Sequence, residues 1–425
     1  MNVWLVNPFD PLPGDPEQQG RYATLARLLC ARGHRVTWWT SSFSHRFKRP
    51  VDAAAIAATC ETIGIHPVFL QAPPYPTNVS VARLRNHRVL VRRFGAEAPK
   101  HRPAPDVVIA STPPPTLARQ AILFARQAGV PSVLDVQDLW PDTFDRLAPW
   151  WLRPAFGLAL RPMRRAADEA YRLADAVVGV ADAYRDEALR LGGPERPAET
   201  IPLGVDLADF DAAARRGGCE ELTKPPGETW LIYSGSLNRN YDCLTLTEAF
   251  ADASARLDRP VRLFVTGRGE LSDALDAIVR RRGLRNVTRT GFLEFDRWAW
   301  LVTQCDAGFN ASFPEAMIYL PNKIFYYLAG GLAVLNTIPG QCSRIVAEGR
   351  CGLDYRAGDA ADCAAAIQRL LGDPAALAEM RRAARALAES TYDRAVLYPR
   401  YAAFLERLAG LRPPDAPPGK DSDRP

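Results

Sequence analysis

Short apolar runs alternate with helical patterns along most of the chain, and this alternation predicts β-α-β units with parallel strands. The runs in the first half that we predict as strands are residues 3–6, 36–40, 107–110, 132–136 and 176–180. They are apolar at successive positions, which is typical of strands covered on both faces. The first half of the chain is therefore predicted to form a doubly wound α/β domain.

The same pattern starts again after a break near Phe210. The strands predicted in the second half are residues 230–233, 262–266, 287–290, 307–309 and 333–336, and helical patterns follow. The break, residues 211–228, is rich in Gly, Pro and charged residues, as an interdomain linker would be. Two doubly wound domains leave a cleft between the carboxyl ends of their sheets, and ligands bind at such ends.

Composition and charge narrow the possible partners. The net charge of +5 over 425 residues is mildly basic, and no basic stripe alternates with aromatic residues, so we expect no nucleic-acid partner. The eight cysteines are scattered, which favours reduced thiols. No apolar run reaches the roughly 20 residues of a spanning helix. We expect a protein that lies in the cytoplasm or on a membrane without crossing it.

The sequence lacks the motifs for two classes of ligand that are common in this fold. A dinucleotide site needs Gly-x-Gly-x-x-Gly after the first strand, but residues 7–14 read NPFDPLPG. No P-loop signature is present, and the histidines lack the spacing of metal ligands. We therefore predict no metal and no bound cofactor.

A stretch near residue 320 has the features of an anion-binding loop. Pro321 suits the turn before a helix, and Lys323 adds positive charge where the first helical N–H groups lack a partner within the helix. Gly330 and Gly331 can end that helix with a positive φ, and the apolar run 332–335 follows. A phosphate-bearing ligand fits these features, and so does an ordinary helix start.

Several turns of the second half could face the same ligand. They are residues 234–237, 266–269, 290–293 and 310–323. Glycine at such turns lets the backbone approach a ligand closely, and Arg239, Arg268 and Lys323 supply charge for a diphosphate. Ordinary β-α turns are also rich in Gly, but four such turns with three cations favour a nucleotide diphosphate.

Several segments then occur in an order and spacing that are specific to one family. They are residues 33–36 (GHRV), 135–142 (DVQDLWPD), 201–206 (IPLGVD), 235–242, 321–323 (PNK) and 351–353 (CGL). On these segments the chain, except for its tail, resembles the retaining GT-B glycosyltransferases of family 4, in the branch that builds bacterial surface polysaccharides.

The resemblance implies the GT-B fold, in which two Rossmann-like domains face a cleft and a C-terminal helix packs back on the first domain. We predict an N-terminal acceptor-side domain at residues 1–210, joined by a crossover helix at about 393–411. A linker at 211–228 leads to the C-terminal nucleotide-sugar donor domain at 229–392. The tail, residues 412–425, is rich in Pro and charge, and we expect it to be disordered.

The resemblance also implies a reaction. A sugar would move from a nucleotide diphosphate sugar to a lipid-linked or polysaccharide acceptor, with retention of anomeric configuration and without a metal, in exopolysaccharide or lipopolysaccharide synthesis. A non-catalytic nucleotide-sugar-binding subunit of a glycan assembly complex is the alternative. A GT-B epimerase would need an acid/base carboxylate pair that the sequence does not reveal.

The positions that match the family's motifs form the predicted site. The catalytic residues are Asp138, Arg239 and Lys323. The donor-binding residues are Gly235, Ser236, Arg268, Phe292, Leu293, Glu315, Pro321, Asn322 and Tyr326. The acceptor-side residues are Gly14, Arg21, His45 and Gln137. The cations and the helix N–H groups would stabilise the departing diphosphate, and Asp138 would lie across the cleft near the reacting hydroxyl or the donor sugar.

The chain departs from the family's pattern at functional positions. The family's two Glu residues fall at Ile318 and Tyr326, and in the family the second one holds the ribose. The Tyr326 hydroxyl can bond a ribose hydroxyl, more weakly than a carboxylate would, or its ring can pack in the core. Glu315 is an alternative ribose ligand. In the first domain, Gln137 replaces a His.

Two basic, amphipathic segments, residues 83–93 and 150–165, suggest a membrane partner. Basic residues with Trp suit an anionic bilayer interface, and the family's acceptors are commonly lipid-linked. We predict a cytoplasmic protein or one that is peripheral on the inner face of the cytoplasmic membrane. A solvated helix face over buried tryptophans is the alternative.

Overall fold

The computed structural model describes residues 1–15, 20–78, 80–144, 153–218 and 222–410. The chain divides into two compact units. Unit 1 comprises Met1–Ile201 and the chain from Tyr398 onward, whereas unit 2 comprises Pro202–Leu397. Each unit is built around its own parallel sheet, which confirms the prediction of two doubly wound domains.

The sheet of unit 1 has seven strands within the described residues. They are β1 (Asn2–Val6), β2 (Arg35–Ser41), β3 (Ile65–Leu70), β4 (Val107–Thr112), β5 (Ser132–Val136), β6 (Ala176–Gly179) and β7 (Ala198–Thr200). They lie in the order β3-β2-β1-β4-β5-β6-β7 and all pair in parallel. The strand order reverses between β1 and β4, and ligands bind beside such a reversal, at the carboxyl edge.

Helices cover this sheet. They are α1 (Arg21–Ala31), α2 (Ala53–Glu61), α3 (Val81–Glu97), α4 (Pro115–Ala128), α5 (Arg153–Leu173) and α6 (Asp182–Gly192). Local chemistry fixes their ends: Asp52 accepts the Ala55 N–H at the start of α2, and Gly129 takes a left-handed φ of 69° after α4. Packing fixes their faces, because Trp4 of β1 stacks on Phe124 of α4 at 5.1 Å.

The last described helix, α15 (Arg394–Leu408), joins unit 1 from Tyr398 onward, five residues later than the predicted 393. Its Glu406 is buried, with 4% of the side chain exposed. The carboxylate accepts hydrogen bonds from Arg32 Nε at 2.8 Å and Nη2 at 2.7 Å, and lies 2.8 Å from His34 Nε2. The predicted packing of the C-terminal helix on the first domain is confirmed.

The sheet of unit 2 has six strands within the described residues. They are β8 (Thr229–Ser234), β9 (Val261–Thr266), β10 (Val287–Gly291), β11 (Ala307–Asn310), β12 (Ala333–Asn336) and β13 (Gly352–Asp354). Their order is β10-β9-β8-β11-β12-β13, and all pair in parallel. The order reverses between β8 and β11, so the turns after β8 to β11 share one carboxyl edge.

The helices of unit 2 surround that sheet. They are α7 (Leu207–Arg216), α8 (Cys243–Ser254), α9 (Ser272–Arg281), α10 (Phe295–Gln304), α11 (Lys323–Ala329), α12 (Gln341–Glu348), α13 (Ala360–Gly372) and α14 (Pro374–Leu387). Their apolar faces close a core with the strands, and Phe250 and Ile367 of the helices share this core with Leu263 and Phe309 of the strands. Residues of this core are almost fully buried, as close packing requires.

The predicted boundary near residue 210 is corrected. Residues 202–210, which we assigned to the first domain, belong to unit 2. Residues 211–216, predicted as linker, form the second half of α7. Arg216 at the end of that helix pairs with Asp296 on α10 at 2.7 Å, so the charge in this segment serves helix packing within unit 2.

Some predictions fall outside the part of the chain that the structure describes. These are the tail at 412–425 and the tryptophans of the second basic segment. None of the described helices is both long and apolar enough to cross a membrane.

Replacing Glu406 by Gln should destabilise unit 1. Burial alone raises the pKa of Glu406, but hydrogen bonds from Arg32 and His34 outweigh it, so the pKa lies below its ordinary value. The carboxylate thus stabilises the fold above the pKa of an unfolded Glu, and that stability is lost as the pH falls through the folded pKa. We expect a loss of roughly 2–4 kcal/mol at pH 7, since Arg32 would be left buried in part without its partner.

Urea unfolding of the variant and the parent at pH 7 and below pH 4 measures this effect. Glu199→Gln is the matched control, because Glu199 also pairs with α15, through Arg400 at 3.2 Å, but lies nearer the solvent. It should cost less than about 1 kcal/mol. Equal losses for the two variants, or a Glu406→Gln loss that does not shrink in acid, would contradict the role of the buried pair.

Candidate functional site

The turns after three strands of unit 2 interlock at the carboxyl edge of its sheet. The Gly235 N–H donates to Thr266 O at 3.1 Å, and the Gly267 N–H donates to Gly291 O at 2.7 Å. The turns that follow β8, β9 and β10 therefore form one continuous backbone surface. Several of the donor-binding residues that we predicted from the sequence lie on these same turns.

Glycine is required at two of these positions. Gly235 has a φ of 143° and Gly267 a φ of 122°, a region that other residues rarely adopt. A Cβ on Gly267 would collide with the carbonyl oxygen of Gly235, and one on Gly235 would lie 3.1 Å from Lys323 Nζ. The two glycines thus let the backbone lie close to the Lys323 ammonium, as a phosphate-binding turn requires.

Lys323, the first residue of α11, points its ammonium into this surface. Its Nζ is buried and has no hydrogen-bond partner among the described residues. It lies 4.4 Å from the ring centroids of Tyr233 and Tyr241, whose π faces attract a cation. Burial lowers the pKa of Lys323 to about 7. An ammonium without a counterion, held between two rings, is suited to an anionic ligand.

The helix N–H groups contribute less than the sequence suggested. The Ile324 N–H donates to Pro321 O at 3.3 Å, and the Phe325 N–H donates to Asn322 O at 3.2 Å. These two amides are therefore already hydrogen-bonded within the turn. The ammonium of Lys323 is the main group that could bind an anion at this end of α11. The helix ends as predicted, with Gly331 at a φ of 65°.

The other predicted donor residues lie on the turns of the same edge, mostly exposed. Arg239 Nε is 3.7 Å from Glu270 Oε1, and Arg268 lies beside Gly291. Phe292 is an exposed large apolar side chain. The remaining exposed or half-buried positions are Ser236, Leu293, Glu315, Pro321 and Asn322. Donor contacts of all these side chains stay a prediction.

Tyr326 lies in an aromatic cluster. Only 8% of the residue is exposed. Its ring centroid is 5.0 Å from that of Trp298, edge to face, and about equally distant, at 5.9 and 6.1 Å, from Phe210 and Phe295. The structure thus gives Tyr326 the packing that the sequence left open as the alternative to ribose binding. Trp298 in turn donates from Nε1 to Ser234 Oγ at 2.9 Å.

In unit 1, Asp138 follows β5 at the carboxyl edge. Trp140 Nε1 donates to Asp138 Oδ2 at 3.0 Å. Burial raises the pKa of Asp138 to about 6, against the opposing effects of the Trp140 bond and the Leu139 N–H. A carboxyl group with such a pKa can exchange a proton near neutral pH. Its predicted place beside the reacting group stays a prediction.

Two predicted acceptor-side residues have another role in the structure. Arg21 is only 2% exposed, and its Nε and Nη2 donate to Asp135 at 2.8 and 3.0 Å, while Nη1 donates to Ile201 O. Gln137 Nε2 donates to the same carboxylate at 3.3 Å. The acceptor role of Arg21 is thereby corrected, because its guanidinium is committed to a buried ion pair. Gln137 is half-buried and partly held by that pair.

Gly14 and His45 lie nearer to open space. Gly14 lines a cavity of about 250 Å³ together with Phe47 and Arg49. His45 Nδ1 lies 2.6 Å from the Tyr75 hydroxyl. The acceptor role of both residues stays a prediction.

Sequence reasoning missed the side chains around His45. These are Lys48, Tyr75, Arg83 and His87. A signal was available, because Arg83 and His87 are four residues apart on α3 and so share one face. We had instead grouped them with the exposed arginines of the same helix.

Family models match both units. Residues 20–209 match the model of Glycosyltransferase Family 4, and residues 228–373 match the model of Glycosyl transferases group 1. The chain is 30% identical to a D-inositol 3-phosphate glycosyltransferase from an Arthrobacter strain over 194 residues, 44% of each protein. The matches span about half the length of the curated relatives.

Solved structures share the fold. Sucrose-phosphate synthase from Thermosynechococcus elongatus superposes with a TM-score of 0.69 at 17% identity, covering 96% of this chain and 99% of that one. HepE from Anabaena, in complex with UDP-glucose, gives 0.64 at 18% identity, covering 97% and 100%. The chain therefore has the GT-B fold of these structures, and both of its parts match glycosyltransferase family models.

Removing the buried ammonium should stabilise the free protein. Lys323→Met keeps the aliphatic stem between the tyrosine rings but removes a charge that lacks a partner. The folded pKa of about 7 lies below the ordinary lysine value, so the parent carries the full burial cost below pH 7 and recovers stability as the pH rises from there. We expect a gain of about 1–3 kcal/mol for the variant at pH 6, shrinking toward pH 10.

Thermal and urea unfolding across this pH range measure the difference between variant and parent. Lys224→Met is the control, since Lys224 Nζ is paired with Asp306 Oδ2 at 2.5 Å and its loss should destabilise. A Lys323→Met protein that is less stable than the parent at pH 6 would show that the ammonium is compensated, against this interpretation.

Proposed function

We propose that the protein transfers a sugar from a nucleotide diphosphate sugar to an acceptor hydroxyl, with retention of configuration. The observation that carries the proposal is the unpartnered Lys323 ammonium at the glycine-lined carboxyl edge of unit 2. The UDP-glucose bound by the structural neighbour HepE supports a nucleotide sugar as donor. Retention rests on the resemblance to the family 4 enzymes.

Charge neutralisation would be the main chemical contribution of unit 2. The bond between the sugar and the diphosphate breaks as negative charge grows on the leaving group, and preorganised cations favour that step. Lys323 would contribute from a buried position, where electrostatic interactions are strong. Arg239 and Arg268 would add charge from the exposed turns. With this set of cations, the proposed reaction has no need of a metal.

Tyr326 and Gln137 support a second candidate function. The first packs among aromatic rings and the second bonds to Asp135, so neither presents the group that the family has at that position. A non-catalytic subunit of a glycan assembly complex would bind a nucleotide sugar without turning it over. Such a subunit would have the same turns and the same Lys323 at the carboxyl edge of unit 2.

A panel of radiolabelled UDP-, GDP- and ADP-sugars separates the two functions. We expect hydrolysis or transfer of at least one donor by the parent. Lys323→Met should lower affinity for the matching nucleoside diphosphate about tenfold to a hundredfold, as expected for a lost charged hydrogen bond. Binding of the bare nucleoside should barely change, because it lacks the diphosphate.

Calorimetric titration provides the binding constants, and Lys100→Met, at an exposed position of unit 1, is the control. Binding of a donor without any turnover over the whole panel would favour the non-catalytic subunit. Equal losses for nucleoside and diphosphate would remove Lys323 from the diphosphate site.

We further propose that the acceptor is lipid-linked and that α3 lies on an anionic membrane surface. The exposed face of α3 carries Arg85, Arg88 and Arg92 together with two apolar residues, Val81 (83% exposed) and Leu84. Basic residues beside apolar ones suit a membrane interface. A lipid-linked acceptor fits this location and the resemblance to surface-polysaccharide enzymes, as do exopolysaccharide and lipopolysaccharide products.

The double variant Arg85→Glu, Arg88→Glu should bind anionic liposomes at least about tenfold more weakly than the parent at low salt, since each basic residue contributes about 1 kcal/mol. Parent binding should also fall at high salt through screening. The double variant Arg280→Glu, Arg285→Glu is the control, because it changes the net charge by the same amount at exposed positions of unit 2. Sedimentation in which both double variants behave alike would mean that the α3 face is merely solvated.

A further inference from the structure

Four basic side chains converge at the carboxyl edge of the unit 1 sheet. His45 and Lys48 follow β2, whereas Arg83 and His87 lie on the inward face of α3. We call these four residues the basic cluster. Tyr75 joins them, because its hydroxyl lies 2.6 Å from His45 Nδ1 and its ring lies 4.7 Å from Lys48 Nζ and 5.8 Å from the Arg83 guanidinium.

Two members of the basic cluster are buried and carry polar atoms without partners. Arg83 is 6% exposed and His87 is 3% exposed. Arg83 Nη1 donates to Asn78 O at 2.8 Å, but Arg83 Nε and both ring nitrogens of His87 have no hydrogen-bond partner among the described residues. Leaving buried polar atoms unpaired is costly, and natural structures rarely do so without a reason.

Among the described residues, the basic cluster also has no carboxylate partner, because none of its four members forms an ion pair. After burial, repulsion is the next cause that lowers the pKa values of the two histidines. Arg83 and Lys48 act on His45, whose pKa falls to about 4, and Arg83 and His45 act on His87, whose pKa falls to about 3. Such repulsion is relieved by an anion.

Aromatic rings surround the Arg83 guanidinium. It lies 4.5 Å from the Trp140 ring centroid and 5.4 Å from that of Phe9. These π faces stabilise a desolvated cation in part, but they accept no conventional hydrogen bond from Arg83 Nε. The guanidinium is thus held in place while a donor remains available.

A small cavity borders the cluster at His45, and a larger cavity adjoins it. The small cavity, of about 20 Å³, is lined by Phe9 and His45. It shares Asp15, Ser44, Val51 and Ile56 with the larger cavity of about 250 Å³. The His45 side of the basic cluster therefore borders the small cavity, which adjoins the larger one.

We propose that the basic cluster binds an anionic oxygen group, a phosphate or a carboxylate, and that this group belongs to the sugar acceptor. The assignment to the acceptor rests on the proposed glycosyl transfer, whereas anion binding itself does not. Arg83 Nε and His87 would donate to the anion, and Lys48 would add charge at the rim. The acceptor class is thereby narrowed to molecules with a negative group near the reacting hydroxyl.

This site is separate from the membrane-facing part of α3. Arg83 and His87 are buried, whereas Arg85 and Arg88 are exposed on the same helix. The two faces can therefore be tested independently.

Histidine side-chain NMR of the full chain tests the proposal without a donor. Inorganic phosphate and acetate are titrated separately, and vesicles that contain phosphatidic acid form a third arm. We expect saturable shifts of the His45 and His87 resonances and a rise in the pKa of His87. His66 and His101, whose ring centroids lie 5.6 Å apart elsewhere in unit 1, should not shift. Phosphate or acetate responses identify the anion, and a vesicle response alone places it in a lipid headgroup.

Two matched variants separate binding from packing. His87→Phe removes two unpartnered nitrogens, so it should raise the melting temperature while weakening the phosphate effect on His45 about tenfold or more. His101→Phe is the control, because His101 Nε2 is also buried without a partner, and it should leave the phosphate effect intact. Lys48→Gln, at a half-buried position, gives a second variant that should weaken phosphate binding.

The proposal is overturned if neither phosphate, acetate nor vesicles shift His45 and His87, or if His66 and His101 respond equally. It is also overturned if His87→Phe raises stability and leaves the phosphate effect unchanged, since the cluster would then be packing only. Sugar transfer in the donor panel without any anion response would leave the proposed function standing and remove this site. An anion response without sugar transfer from any donor would support the anion site and contradict the proposed glycosyl transfer.

Discussion

Buried charge must be compensated, and the way in which this chain compensates its buried cations organises both units. Arg21 meets Asp135 in a two-bond ion pair, and Glu406 meets Arg32 and His34. These pairs tie helices to strands and the C-terminal helix to unit 1. Breaking such a pair leaves an uncompensated charge, which is far more costly than never having had it. Paired cations in this protein are therefore structural.

Lys323 and Arg83 are buried in a different way. Each is surrounded by aromatic rings, tyrosines for Lys323 and Trp140 with Phe9 for Arg83. Rings reduce the desolvation cost of a cation without using its N–H groups. The free protein thus carries part of the cost of burial, and a ligand that supplies the counterion repays it. Binding to the folded state alone then adds stability by mass action. Where a buried cation has rings but no carboxylate, a binding role is the consistent interpretation.

The sequence predicted all of the central strands of both sheets, but of the four edge strands it predicted only β10. The missed strands β3, β7 and β13 are flanked on one side only, are mostly half-buried, and two of them are three residues long. Their patterns are weak for that reason. The glycine turns and Lys323 could be found because they are local in sequence. The partner of Arg21 could not, since Asp135 is 114 residues away. The same holds for the surroundings of Arg83, whose ring contacts come from three separate segments.

Trp140 connects the two chemical features of unit 1. Its indole N–H donates to Asp138 at 3.0 Å, and its ring face lies 4.5 Å from the Arg83 guanidinium. One side chain thus separates a carboxyl group with a raised pKa from the proposed anion site. Because Asp135 is fixed by Arg21 at the end of β5, the segment that carries Asp138 and Trp140 starts from a rigid point. An acceptor anchored by its anion at Arg83 would therefore present nearby hydroxyls at a distance from Asp138 that the indole sets. Such anchoring would give specificity for the acceptor through geometry, since a neutral analogue would leave the buried donors of the basic cluster unpaired.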